Sequence, residues 1–160
     1  MELKDVLKFL ERDVSFVGWR DSNPDFFLAH AFVMVGVGEW QIVFFSLKKE
    51  RMATFFVNSS GIRVVQDQEV LKSGGEIVKL DRDKVLISCE SAVGIANACL
   101  KKEYGSIPVV KTFFVIQQMN GVQVYNVTFF LQSFKTVNVH VSSFDGKILS
   151  HSEGVLATFG

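Results

Sequence analysis

The chain has 160 residues, 48% of them hydrophobic and 21% charged, with sixteen phenylalanines and only two prolines. This composition supports a sizeable core rich in strands and excludes the low-hydrophobicity, high-charge regime of disordered chains. Seventeen basic and seventeen acidic residues cancel to a formal charge of zero, which leaves no electrostatic footprint for nucleic acid or an anionic membrane surface.

Leu3, Val6, Leu7 and Leu10 recur at helical spacing between charged residues, so 2–12 is expected to form an amphipathic helix, with Phe9 widening its stripe. Those charges interrupt any secretory apolar run, and no stretch reaches the roughly 18 apolar residues of a membrane-spanning helix. The expected location is the cytoplasm, or the chain is a trimmed extracytoplasmic domain. Asp21-Ser22-Asn23-Pro24-Asp25 reads as a loop, because Asn and Asp bond their own backbone and Pro24 disfavours helix before it. Strand-like runs follow at 26–35, 40–47 and 51–57, separated by Gly36-Val37-Gly38 and Lys48-Lys49-Glu50. A short fourth run, 62–65, comes after Asn58-Ser59-Ser60-Gly61.

From Asp67 to Asp83 the chain turns polar around Ser73-Gly74-Gly75, with a short strand expected at 77–80. Ser88 is then a fitting N-cap for a second helix to about Glu103, with Ala92, Ile95, Ala96 and Cys99 on its apolar side and Gly105 as its stop. Strands are expected again at 109–117, 122–131, 136–142 and 147–150, with turns at Asn120-Gly121, Gln132-Ser133 and Asp145-Gly146.

A shift of 85 residues lays Gly36 to Leu71 onto Gly121 to Leu156 without a gap, with seven identities in 36 positions. Gly36-Val37 falls on Gly121-Val122, Phe44-Phe45 on Phe129-Phe130 and Gly61 on Gly146, while Trp40 meets Tyr125. The expected fold class is therefore α+β, two tandem units of one helix packed on a four-stranded antiparallel sheet. Residues 1–72 form the first unit, 73–84 the connection and 85–160 the second unit.

Alternation in the second unit leaves one face wet: Tyr125, Val127, Phe129 and Leu131 oppose Asn126, Thr128 and Gln132, and Val137, Val139 and Val141 oppose Thr136, Asn138 and His140. The first unit is apolar on both faces, with Trp40, Ile42 and Phe44 on one side and Val43, Phe45 and Leu47 on the other. Likewise Phe27, Ala29, Ala31 and Val33 oppose Phe26, Leu28 and Phe32. One helix covers one side, so the other face is expected to be an interface with the second unit, another copy or a ligand.

Glu90-Ser91-Ala92-Val93-Gly94-Ile95-Ala96, Tyr125-Asn126-Val127, and Val137-Asn138-Val139-His140-Val141 followed by Phe144-Asp145-Gly146-Lys147-Ile148-Leu149 are the most distinctive runs of the second unit. Together they resemble the opening helix, central strand, closing strand and Asp-Gly-Lys turn of a PepSY-type domain, over roughly residues 85–155. The resemblance implies a cystatin-like helix across an antiparallel sheet, duplicated in tandem, and a role in binding, protease inhibition or regulation. It implies no catalytic residue.

Candidate chemistry is sparse. His30, His140 and His151 stand in no metal-ligand spacing with each other, a cysteine or a carboxylate, so no metal and no cofactor is expected. Cys89 and Cys99 sit ten positions apart on one helix, about 15 Å, and read as core thiols rather than a disulfide. Gly36-Val37-Gly38 joins two strands with no helix N-terminus after it, which excludes a phosphate loop. Asp81, Asp83 and Glu90 lie where they complement a helix dipole. The favoured reading is a non-enzymatic binding or regulatory module for a protein or peptide, or for a second copy of itself, with Trp40, Phe44, Phe45, Phe55 and His30 as its contact residues. The competing reading is a small-molecule or catalytic pocket lined by Trp40, His30 and the phenylalanines.

Overall fold

The computed structural model describes residues 1–69 and 76–155. Two short helices open the chain. Helix α1 (Leu3–Glu11) buries Leu3, Val6, Leu7 and Leu10, the stripe its spacing dictates. It begins in a capping box in which the Glu2 backbone N–H donates to the Asp5 carboxylate at 3.1 Å. Helix α2 (Val14–Ser22), unanticipated from the sequence, starts at Asp13, whose carboxylate accepts from the Phe16 N–H at 3.0 Å. Its buried residues are Phe16 and Trp19.

Eight antiparallel strands follow: β1 (Phe27–Met34), β2 (Trp40–Ser46), β3 (Arg51–Asn58), β4 (Gly61–Glu69), β5 (Val109–Met119), β6 (Val122–Leu131), β7 (Lys135–Ser142) and β8 (Ile148–Val155). They form one sheet in the order β4-β3-β2-β1-β5-β6-β7-β8. This corrects the expectation of two tandem units, each with its own four-stranded sheet and one helix. β1 and β5 pair from His30 with Gln117 to Met34 with Phe113, five registered pairs that make the sheet continuous. The physical reason lies in those two strands. In separate sheets each would be an edge, and both are apolar and nearly uncharged, an open template for pairing. Joining them satisfies both rows of backbone groups and explains why β1 is apolar on both sides.

Residues 1–69 and 85–155 thus build one sheet over one core, which runs from Leu3 and Trp19 through Phe55 and Ile116 to Val141. Of the expected connection, Ser73-Gly74-Gly75 lies outside the described residues, as do Val70-Leu71 and Leu156 of the internal alignment. No strand forms at 77–80. There Leu80 anchors the chain instead: its side chain is buried in the core and its N–H donates to the Leu28 carbonyl at 2.9 Å.

All three helices lie on one side of the sheet. Phe16 and Trp19 of α2 pack on Phe44 and Phe55, with ring centroids 4.9 to 5.5 Å apart. Helix α3 (Cys89–Tyr104) begins at Ser88, whose hydroxyl accepts from the Ser91 N–H at 3.0 Å, and stops at Gly105 with a positive φ of 82°. Ala92 and Ala96 are fully buried, and their small side chains let α3 lie close over β6 and β7.

A bulge in β1 sets the faces. The register slips between Leu28 and His30, so that Leu28 pairs with Phe44 on the helix side while Ala31 and Val33 keep that same side opposite Ile42 and Trp40. Simple alternation placed Phe27 with Ala31 and Val33. The slip instead sends Phe27 to the far face, beside Phe45.

Candidate functional site

No described helix lies over the second face of the sheet, where Val43 and Phe45 are buried among their neighbours and Phe27, Phe32, Phe56, Phe113 and Phe130 are half-buried. Phe32, Phe113 and Phe130 form a row across β1, β5 and β6, with ring centroids 5.4 and 5.5 Å apart. Phe27 meets Phe45 edge-on at 5.7 Å, and the Arg63 guanidinium sits 4.0 Å from the centroid of Phe56. His30 stands between Val43 and Gln117 in this register, and its burial lowers its pKa. Toward β8 the face becomes polar. Asn138 donates to Asn126 at 3.2 Å, and Ser150 lies 2.9 Å from Nδ1 of His140, whose pKa burial also lowers.

The helix side holds shallow clefts. One of about 500 Å³ opens where the β1–β2 hairpin meets the start of α3, lined by Met1, Val33, Trp40, Cys89, Val93 and Phe114. Another, of about 590 Å³, has Phe16, Leu28 and Phe44 in its floor and Arg20, Lys79, Asp81 and Asp83 at its rim. Glu11 holds Arg82 at that rim in an ion pair.

A polar node joins the two halves beneath the first cleft. Both carboxylate oxygens of Glu2 accept from the Cys89 N–H, the Tyr125 hydroxyl donates to the Ile87 carbonyl at 2.9 Å, and the Cys89 sulfur lies 3.8 Å from that hydroxyl. Burial, then the nearby Glu2 charge, pushes the Cys89 thiol up to about 12, and burial likewise raises Tyr125. A thiol so protonated is no nucleophile near neutral pH, so the node holds structure together rather than reacting. Among the described residues, no three His, Cys, Asp or Glu side chains cluster as metal ligands, and no helix is long and apolar enough to cross a membrane.

The five contact residues expected from sequence fall on two sides of the sheet. Trp40 lines the first helix-side cleft, Phe44 floors the second and Phe55 is packed in the core between helices and sheet. Phe45 and His30 belong to the opposite face, which also carries Phe32, Phe113 and Phe130. Those three rings were not singled out. Their signal was the phenylalanine content of β5 and β6, readable only once β1 and β5 are neighbours.

No protein-family model matches this chain, and no curated protein does. Among solved structures, the fold is similar to that of a "putative lipoprotein" from Clostridium difficile 630, a crystal structure at 1.85 Å. The two superpose with a TM-score of 0.53 over 90% of this chain and 97% of that one, at 13% sequence identity, so what they share is the arrangement of the sheet and its helices.

Proposed function

We propose that the chain is a non-enzymatic binding module whose working surface is the face of the sheet opposite its helices, and that its ligand is a protein or peptide segment. The observation that carries this reading is the half-buried row Phe32, Phe113 and Phe130, flanked by Phe27 and graded into the amides of Asn126 and Asn138. An apolar patch with a polar margin is the usual anatomy of a protein-binding surface. The PepSY-like runs of residues 85–155 support the same class of role. Panning a displayed random-peptide library on the immobilised chain tests it: binders should be lost on a Phe32→Ser/Phe113→Ser variant. Binders indifferent to that change, or their absence, would count against it.

A second reading rests on the cleft beside Trp40. Its volume of about 500 Å³ and its lining of Val33, Val93, Phe114 and Met1 suit a small apolar molecule. Quenching of Trp40 fluorescence by a hydrophobic ligand, abolished by Val93→Arg, would favour it. As to location, unpaired Cys89 and Cys99 fit a reducing compartment, whereas the description of the fold neighbour as a lipoprotein favours an extracytoplasmic one. Fractionation with an antibody to the chain decides between them.

A further inference from the structure

Strand β8 is the last strand at one end of the sheet, and all of its residues except Gly154 are exposed. Such an edge presents unpaired backbone donors and acceptors, and proteins guard it with lysine, proline or a bulge. The one irregularity in the β7–β8 ladder falls before Ser150, and from Ser150 to Val155 there is neither lysine nor proline.

We propose that a second copy of this chain completes this edge, antiparallel, about a twofold axis at Ser152. Directly opposed residues in an antiparallel pair share a face of the sheet. His151 registers with Val139 and Glu153 with Val137, so His151, Glu153 and Val155 run along the helix-bearing side, and Ser150, Ser152 and Gly154 along the other, while Leu149 lies at the irregularity. An axis at Ser152 sets His151 of each copy against Glu153 of the other, exposed Leu149 against exposed Val155, and small Ser150 against Gly154. Neighbouring registers lose this match. An axis at His151 opposes two histidines and puts Leu149 against Glu153; one at Glu153 opposes two carboxylates; one at Ser150 sets His151 against Leu149.

The polar pair is already held in place within each copy. The Tyr104 hydroxyl lies 2.8 Å from Nδ1 of His151, and with that hydroxyl donating, the ring proton sits on Nε2, free for the opposing carboxylate. Lys135 holds the Glu153 carboxylate on the same face at 2.9 Å. Hydrogen-bond and apolar complementarity together single out the chain itself as the occupant. This inference stands apart from the open-face reading, since it uses the edge and not the face.

Sedimentation velocity of the unmodified chain from micromolar to millimolar concentration should show a monomer–dimer equilibrium. Opposed Cα atoms in antiparallel strands lie about 4.5–5.5 Å apart, within disulfide reach, so mild oxidation should link Ser152→Cys into a covalent dimer and leave Ser150→Cys unlinked. His151→Glu should weaken the dimer about tenfold by setting carboxylates against each other, and His151→Glu/Glu153→His should restore it. A monomer at every concentration, or a dimer that Ser150→Cys links and Ser152→Cys does not, would overturn the proposal.

Discussion

Glu2 reaches from the start of α1 to the first turn of α3, where its two carboxylate oxygens accept from the backbone N–H of Cys89 at 3.2 and 3.0 Å. One acidic side chain thereby satisfies a free donor of a helix that begins 87 residues later, and places negative charge at the positive end of that helix's dipole. Replacing Glu2 with Ala should lower stability by about 1 kcal/mol. Glu2→Gln, which keeps an acceptor and loses the charge, should lose less. Urea denaturation of the two variants measures both.

The same carboxylate contributes to the state of the Cys89 thiol. With its pKa pushed up to about 12, first by burial and then by Glu2, the thiol stays protonated at pH 8. Alkylation by iodoacetamide in the native state should therefore run orders of magnitude slower than in denaturant. Mass spectrometry of the Cys89 peptide reads the rate, and native labelling as fast as that of the unfolded chain would contradict the burial described.

Trp19 sits among Phe16, Phe26, Phe44 and Phe55, with ring centroids 4.9 to 5.9 Å away. Truncating it to Ala should cost about 3–5 kcal/mol, through lost burial and the cavity left behind. A change under 1 kcal/mol in the denaturation midpoint analysis would mean that α2 does not pack there.

Burial lowers the pKa of both His30 and His140. The unfolded chain takes up these protons near pH 6.5, the folded chain only at lower pH. Their contribution to stability is thus complete above about pH 6.5, falls as the pH drops from there toward the lowered folded values, and then levels off. His30→Gln should flatten that decline in melting temperature between pH 7 and pH 5. An unchanged slope would place the effect elsewhere.

Much of the local structure was legible in the sequence. The Leu3, Val6, Leu7 and Leu10 stripe gave α1, Ser88 and Gly105 bracketed α3, and the glycine turns marked the hairpins. α2 escaped notice because its exposed Val14 and Val17 and its Gly18 blur the stripe that Phe16 and Trp19 define. β8 was read too short, since the run Ser150-His151-Ser152-Glu153 carries no apolar alternation; edge strands exposed on both faces need none. The pairing of β1 with β5 was invisible because no turn joins them. Only the doubly apolar pattern of β1 hints at it, and in sequence alone that pattern fits an interface as well as a central strand. The contact surface suffered from the same omission, since Phe32 and Phe113 become neighbours through that pairing alone.

The join between β1 and β5 holds five registered pairs, against ten between β5 and β6. Every other ladder is closed by a hairpin within a wing, whereas His30 and Gln117 must find each other across more than half the chain. Under load, or at the onset of heating, that seam is where the sheet should part first, like a two-leaved door, with the Glu2–Cys89 contact as the catch between the leaves.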